Sequence, residues 1–436
     1  MSRTSRTSTF ALAASAAALA LLATACGGSG NSSNDAGSDG KPITLTYWSW
    51  TLGAQNTVDE FNRTHKNIQV KFSEIPGQPD GYTKISNAVK AGNAPDIATI
   101  EYQMVPEFAS QGSLVDISEY AADTVESKFP KGLQDLVTFG GKTWSVPFDA
   151  TPQLLYYRSD LFKKYGIEVP KTWDEFKTTA EKVKKAEKNA RIASFPKTDP
   201  ALLAALSWQA GGKWFATEGD SWKPAVDDAG SKKVAAYWDG LIQDDLVQNF
   251  AGYSPEETKA RLSGQTLAFL GASWSAGGMS TAMPDLKGKW AAAPIPHWGT
   301  PASGNYGGTS YAVMKGSKKA EAAVEFIKWV TTNGDAVKAR LGSLKSPSSA
   351  LPANPEMRAV AAKEFDTSYL GGQDLYKLGS EQVDTIQPGW TWGPVQLNVY
   401  QAIQDAAVKT TFTDGLAAGQ QTARTAIKDR GLKLAE

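Results

Sequence analysis

The chain has a single cysteine, Cys26, and it stands just after a short apolar run. Without a second thiol there is no internal disulfide, so everything beyond it must be held by a hydrophobic core. Before Cys26 come Arg3 and Arg6 with no acidic residue, then the apolar stretch Phe10 to Leu22, then Ala23, Thr24 and Ala25. A basic start, a short apolar segment and small residues before a cut site describe a secretory signal peptide over residues 1–25. The 13 residues from Phe10 to Leu22 are too few to cross a ~30 Å hydrocarbon core as a helix, which takes about 20. Cutting before Cys26 leaves 411 of the 436 residues, enough for two or more domains of ~100–200 residues.

Residues 27–41 are Gly, Ser, Asn and Asp with almost nothing apolar. Such a segment cannot bury enough surface to fold and reads as a flexible linker. The stretch ending at Cys26 resembles the lipobox of bacterial lipoproteins, although Ala23 stands where those proteins usually carry Leu. The resemblance implies that Cys26 is acylated, becomes the first mature residue and, with the linker (26–41), tethers a soluble body to the outer face of a membrane. A monomer is expected.

Without Arg3 and Arg6 the chain holds 43 basic against 45 acidic residues. That balance lacks the basic surface nucleic acid requires. The only histidines are His65 and His297, too few for a His/Cys metal centre, while an oxygen-only calcium site stays open. No cofactor is expected. Tryptophan is abundant, with 14 residues, all downstream of Cys26.

Residues 42–50 alternate and are β-branched and aromatic, the mark of a strand. A helical stretch follows with Val58 and Phe61 three apart. A strand at 68–72, a helix carrying Ile85 and Val89, and a short strand from Ile97 to Ile100 continue the alternation. This β-α-β-α-β order predicts a sheet layered with helices. Further on, Thr172 and Glu175 form a capping box before Phe176, Ala180 and Val183. Ser254, Pro255 and Glu257 open another helix. Thr266 to Leu270 reads as a buried strand. Residues 318–332 form an amphipathic helix with Asn333-Gly334 as its stop.

Four segments then point to a family. They are 91–97 (AGNAPDI) followed by 108–114 and Asp116; 141–176, from Gly141 through Pro147-Phe148-Asp149 to Trp173 and Phe176; 264–274, GQTLAFLGASW; and 307–330, GGTSYAVMKGSKKAEAAVEFIKWV. Together they resemble the family 1 extracellular solute-binding proteins of carbohydrate ABC importers, the maltose-binding-protein type. The resemblance implies an α/β, two-lobed periplasmic-binding-protein-like fold of type II. One lobe would take 42–149 plus 307–345. The other would take 150–292 plus 346–436, with a hinge crossing at 293–306. The ligand would sit in the cleft, the lobes closing over it by a hinge motion. The partners implied are a sugar and the transmembrane subunits of an ABC permease.

A sugar ring presents a C–H face and a rim of hydroxyls. Flat aromatic faces cover the first; carboxylates and amides pair the second. Trp274 follows the small residues Gly271, Ala272 and Ser273, and the resemblance places a stacking Trp here. Trp390 and Trp392 lie in a Pro-Gly loop, where the family tends to carry a cleft aromatic. Trp50 shares strand parity with Trp48 and adjoins what resembles the family's first ligand loop; Trp48 reads as core. Glu101 and Tyr102 follow a strand whose C-terminal end is where α/β sheets place ligands. Asp149 sits where the family chain enters its first hinge. Trp208 and Trp214 flank Gly211-Gly212 as possible lining of the second lobe. Gly308, beside Gly307, offers either close backbone approach or a plain turn. Trp144, Trp173 and Trp329 read as packing residues.

Two other classes compete with a sugar-capturing subunit. A secreted glycosidase would use Glu101 and Asp149 as its carboxylate pair, but no motif supports it. A binding protein for a non-sugar solute, such as a polyamine or peptide, would use the same aromatics through cation–π contacts.

Overall fold

The computed structural model describes residues 41–77, 79–342 and 348–435. The signal peptide, Cys26 and all of the linker but Lys41 lie outside these. The strands that position the site are, in chain order, β1 (Ile43–Ser49), β2 (Ile68–Glu74), β3 (Ile97–Glu101), β4 (Val146–Pro147) and β5 (Asp149–Ala150). They continue with β6 (Leu154–Arg158), β7 (Ala268–Gly271), β8 (Trp290–Pro294), β9 (Thr309–Val313) and β10 (Leu351–Pro352).

The first sheet has the order β2-β1-β3-β9-β4. β1 runs parallel to both neighbours, Tyr47 standing opposite Phe72 on one side and Ile97 on the other. β9 joins antiparallel to β3 and β4. The pleat sorts the side chains. Leu45, Tyr47 and Ser49 are buried on one face of β1. There the helices Ala54–Thr64 and Ala320–Thr332 cover them, with Phe61 and Phe326 edge to face at 4.9 Å. Trp48 and Trp50 share the opposite face, as their parity predicts, partly buried against the cluster that holds Tyr82 and Ile85. Trp48 is thus half-buried, with Lys84 Nζ 4.9 Å from its ring centroid.

A second, three-stranded sheet has the order β7-β6-β8, all antiparallel. Around it lie the helices Trp173–Ala186, Pro200–Gln209 and Ala229–Gln243, whose Trp238 stacks on Phe195 at 4.0 Å and 7°. The sequence's capping signals are present with one shift of register. Thr172 Oγ1 accepts from the Glu175 N–H, but Glu175 reaches back to the N–H of Lys171, one residue upstream of the cap. Ser254 and Glu257 repeat the pattern, Glu257 taking the N–H of Tyr253. Asn333 is the expected stop and has a second role. It does end the helix Ala320–Thr332, but in extended backbone (φ −108°) rather than the left-handed turn a helix stop uses. Its side chain then caps the next helix, Gly334–Leu341, by accepting from Asp335.

The chain leaves the first sheet through β5, which pairs with β10 as a two-stranded ribbon. It returns from β8 through 295–308 into β9. The late helix Gln396–Lys409 packs against Pro200–Gln209 of the second lobe, yet it is bolted to the first. Glu107, buried in the helix Val105–Ser110, accepts from the Leu397 N–H at 3.0 Å and from Arg430 at 2.8 Å.

Candidate functional site

Between the lobes lies a cavity of about 770 Å³, within the ~300–1,000 Å³ usual for small-molecule sites. The parallel strands β1 and β3 both point their C-terminal ends into it, delivering Trp50 and Glu101. The crossings supply Asp149, Tyr306, Gly307 and Gly308. The second lobe supplies Asp199, Tyr253 and Trp274, and the helix Gln396–Lys409 supplies Tyr400.

On the first lobe, Trp50 packs edge to face on Tyr82 at 5.6 Å. The Tyr82 hydroxyl donates to Glu101 Oε2 at 2.8 Å and accepts from the Glu101 N–H at 2.9 Å. One buried tyrosine thus aims both the aromatic and the carboxylate. Asp149 is buried and accepts from Thr309, at 2.6 Å from its N–H and 3.1 Å from its hydroxyl. Burial pushes its carboxyl up to about 6, outweighing the Thr309 bonds that favour the charged form.

Trp274 begins the helix Ser275–Ala282. Its indole N–H donates to the Tyr306 carbonyl at 3.1 Å, which fixes one edge of the ring. The Tyr306 hydroxyl donates to Asp199, which caps the helix Pro200–Gln209 by accepting from Leu202 at 3.1 Å. Burial raises the Asp199 carboxyl above its ordinary range, opposed by those same bonds. Gly308 has φ 93°, and a Cβ there would lie 2.8 Å from both Thr151 Oγ1 and the Tyr102 ring. Only glycine fits such a position.

Arg340 is the one cationic side chain lining the cavity among the described residues. Its guanidinium donates to Leu52 O at 2.9 Å and Tyr311 Oη at 2.7 Å, and lies 4.3 Å from the Phe148 ring centroid. It ties the loop after β1 to β9.

Of the residues singled out from sequence, Trp274, Trp50, Glu101, Asp149 and Gly308 come together here. Tyr102 is fully buried beside the cavity, its hydroxyl donating to the Asp149 carbonyl at 2.7 Å. It supports the site from behind. Trp208, Trp214, Trp390 and Trp392 do not line the cavity. They pack on one another: Trp208 and Trp390 stack at 5.1 Å and 6°, Trp392 stands against Trp390 at 5.0 Å, and Trp214 lies 5.8 Å from Trp390. All four are at most 5% exposed. The loop's second glycine, Gly393, permits this packing. It lies so close to Phe215 that a Cβ would meet the ring at 2.4 Å. Sequence reading missed Asp199, Tyr253, Tyr306, Arg340 and Tyr400. The local signals were faint: Asp199 precedes a helix-starting Pro, and Tyr306 precedes Gly307-Gly308.

Two lobes and an aromatic and acidic cavity at the strand ends define a ligand-capturing protein of the hinged type. A family profile described as bacterial extracellular solute-binding protein matches residues 47–337, and the chain belongs to that family. It is similar to the lactose-binding protein of Rhizobium radiobacter, 26% identical over 302 residues, covering 65% of this chain and 69% of that one. It also resembles the binding protein associated with an ABC transporter of B. animalis subsp. lactis Bl-04, solved in complex with β-1,6-galactobiose. That likeness has a TM-score of 0.80 at 26% identity and covers 91% of this chain and 100% of the other. The galacto-N-biose/lacto-N-biose I-binding protein of Bifidobacterium longum, solved with lacto-N-biose, gives 0.79 at 26% identity over 91% and 100%.

Proposed function

We propose that this chain is the extracellular sugar-capturing subunit of an ABC importer, binding a di- or oligosaccharide in the interlobe cavity and delivering it to a membrane permease. The observation that carries this reading is the cavity's lining. Trp50 and Trp274 enter from different lobes, with the carboxylates of Glu101, Asp149 and Asp199 around them. Trp274 and Trp50 cover C–H faces; Glu101 and Asp149 pair hydroxyls; Gly308 lets backbone come close. A ligand touching both lobes stabilises the closed form, and closure is the state a permease recognises. A micromolar dissociation constant corresponds to about −8 kcal/mol, within reach of stacked rings and charge-assisted hydrogen bonds. The protein performs no chemistry in this scheme.

The similar proteins bind lactose, β-1,6-galactobiose and lacto-N-biose, and these are the first sugars to try. Thermal shift and calorimetry with this panel should give stabilisation by at least one disaccharide. Stabilisation by spermidine alone would move the function to a polyamine, and turnover of any sugar would replace capture with catalysis. Attachment to the membrane rests on Cys26 and its resemblance to a lipobox. A Cys26→Ser chain should be secreted into the medium while still binding sugar; its retention on the membrane would remove the lipid anchor.

A further inference from the structure

Tyr253 and Asp245 are the non-glycine residues with left-handed backbone among the described residues, at φ 59° and 54°. Short acidic side chains tolerate that region; a bulky tyrosine there is an outlier and persists only where its surroundings impose it. Tyr253 is also the most exposed large hydrophobic residue, at 66%, and its ring borders the cavity. Exposed aromatics on mobile loops are common, but this one is braced at both ends. Its N–H donates to Glu257 Oε2 at 2.8 Å, and Glu257 is itself buried and held by Arg261 at 2.8 Å. Its hydroxyl lies 3.1 Å from the Tyr306 hydroxyl, which in turn donates to Asp199. The ring is therefore fixed by its ends while its face stays open.

We infer that Tyr253 is a ligand-stacking residue that forms an aromatic corner with Trp274 and reads a second sugar ring. This rests on the sugar-capture reading above. The two ring centroids are 6.4 Å apart and the planes are inclined by 42°. One flat sugar ring cannot lie on both faces at once, so the corner suits two successive units joined by a bent linkage. Tyr306 sets the angle: its ring packs on Trp274 at 5.4 Å, its carbonyl takes the indole N–H, and its hydroxyl holds Tyr253. A rigid, pre-placed aromatic loses little freedom on binding, which is how such a residue contributes affinity.

Backbone strain supplies a test in which the two readouts move apart. Tyr253→Gly relieves the left-handed strain and removes the platform. The unliganded Tm should stay level or rise, while affinity for lacto-N-biose or β-1,6-galactobiose falls by about tenfold or more. Affinity for galactose, a single ring, should not change. Tyr253→Asn, which also accepts this backbone, should behave the same way, and Tyr253→Phe should keep most of the affinity. Unchanged disaccharide affinity in the Gly and Asn variants overturns the inference. So does an equal loss for galactose, or a fall in Tm that tracks the loss of binding. If the unaltered protein binds no sugar of the panel, the sugar-capture reading falls first and takes this one with it.

Discussion

Two groups among the protein's 14 tryptophans answer different demands. Trp50 and Trp274 line the cavity, Trp50 edge to face with Tyr82 and Trp274 held through its indole N–H. Trp208, Trp214, Trp390 and Trp392 stack on one another inside the second lobe, with Trp208 also donating to the Gln387 carbonyl at 2.6 Å. The residue type is the same; the use made of its faces differs. A face occupied by another indole contributes to folding. A face left open by a ring that is fixed at its edge is available to a ligand.

Four substitutions would break or sharpen that contrast. The largest effect belongs to the packed group. Trp214→Ala, at a fully buried ring, should lower the unfolding free energy by about 3–5 kcal/mol in urea titration, with the sugar affinity of the folded fraction unchanged. Trp274→Ala should do the reverse, weakening binding by about 2 kcal/mol, as central aromatic anchors do, with the unliganded Tm barely moved. If both variants lose stability and affinity together, the division into packing and binding indoles fails. Gly308→Ala comes next. Its Cβ would press on Thr151 and Tyr102 at 2.8 Å, and the strain, on the order of 1–3 kcal/mol, should appear as a lower Tm with a smaller loss of affinity.

The smallest effect is on pH response. Burial raises the Asp149 carboxyl to about 6 from its ordinary 3.8. Between those values the native state holds more protons than the unfolded one, so this group's contribution to stability falls as pH rises across that window and is level above it. Asp149→Asn should remove that slope from a Tm series run between about pH 4 and 7. If its carboxylate pairs a ligand hydroxyl, affinity should weaken as pH falls through about 6, and the Asn variant should be flat. An identical pH profile in both proteins would take Asp149 out of the site.

The division of labour also explains what could be read from the sequence. The strand from Ile43 to Ser49, the parity of Trp48 and Trp50, the capping boxes at Thr172 and Ser254, and Glu101 at a strand end are all local patterns. Local pattern was enough to find them. The brace around Trp274 joins Tyr306 to Asp199 across 107 positions, and Arg340 meets Leu52 across 288. No periodicity marks such pairs. The Pro-Gly loop misled for the same reason. It signals a turn at Gln387 to Trp392, but the indoles that bury Trp390 come from Trp208 and Trp214, far away in the chain. Asn333-Gly334 read as a stop, and Asn333 does end the first helix. The structure uses the asparagine to begin a second helix at once.

The nearly parallel stack of Trp208 on Trp390, 5.1 Å apart, has an optical consequence. Two indoles so close and so aligned couple their excited states, so the second lobe carries its own circular-dichroism marker of correct folding. Trp50 and Trp274 stand outside that stack and meet the cavity. A sugar that enters should perturb their emission and leave the coupled pair as a constant background. Capture and folding integrity can then be followed in one unlabelled sample, each through its own set of tryptophans.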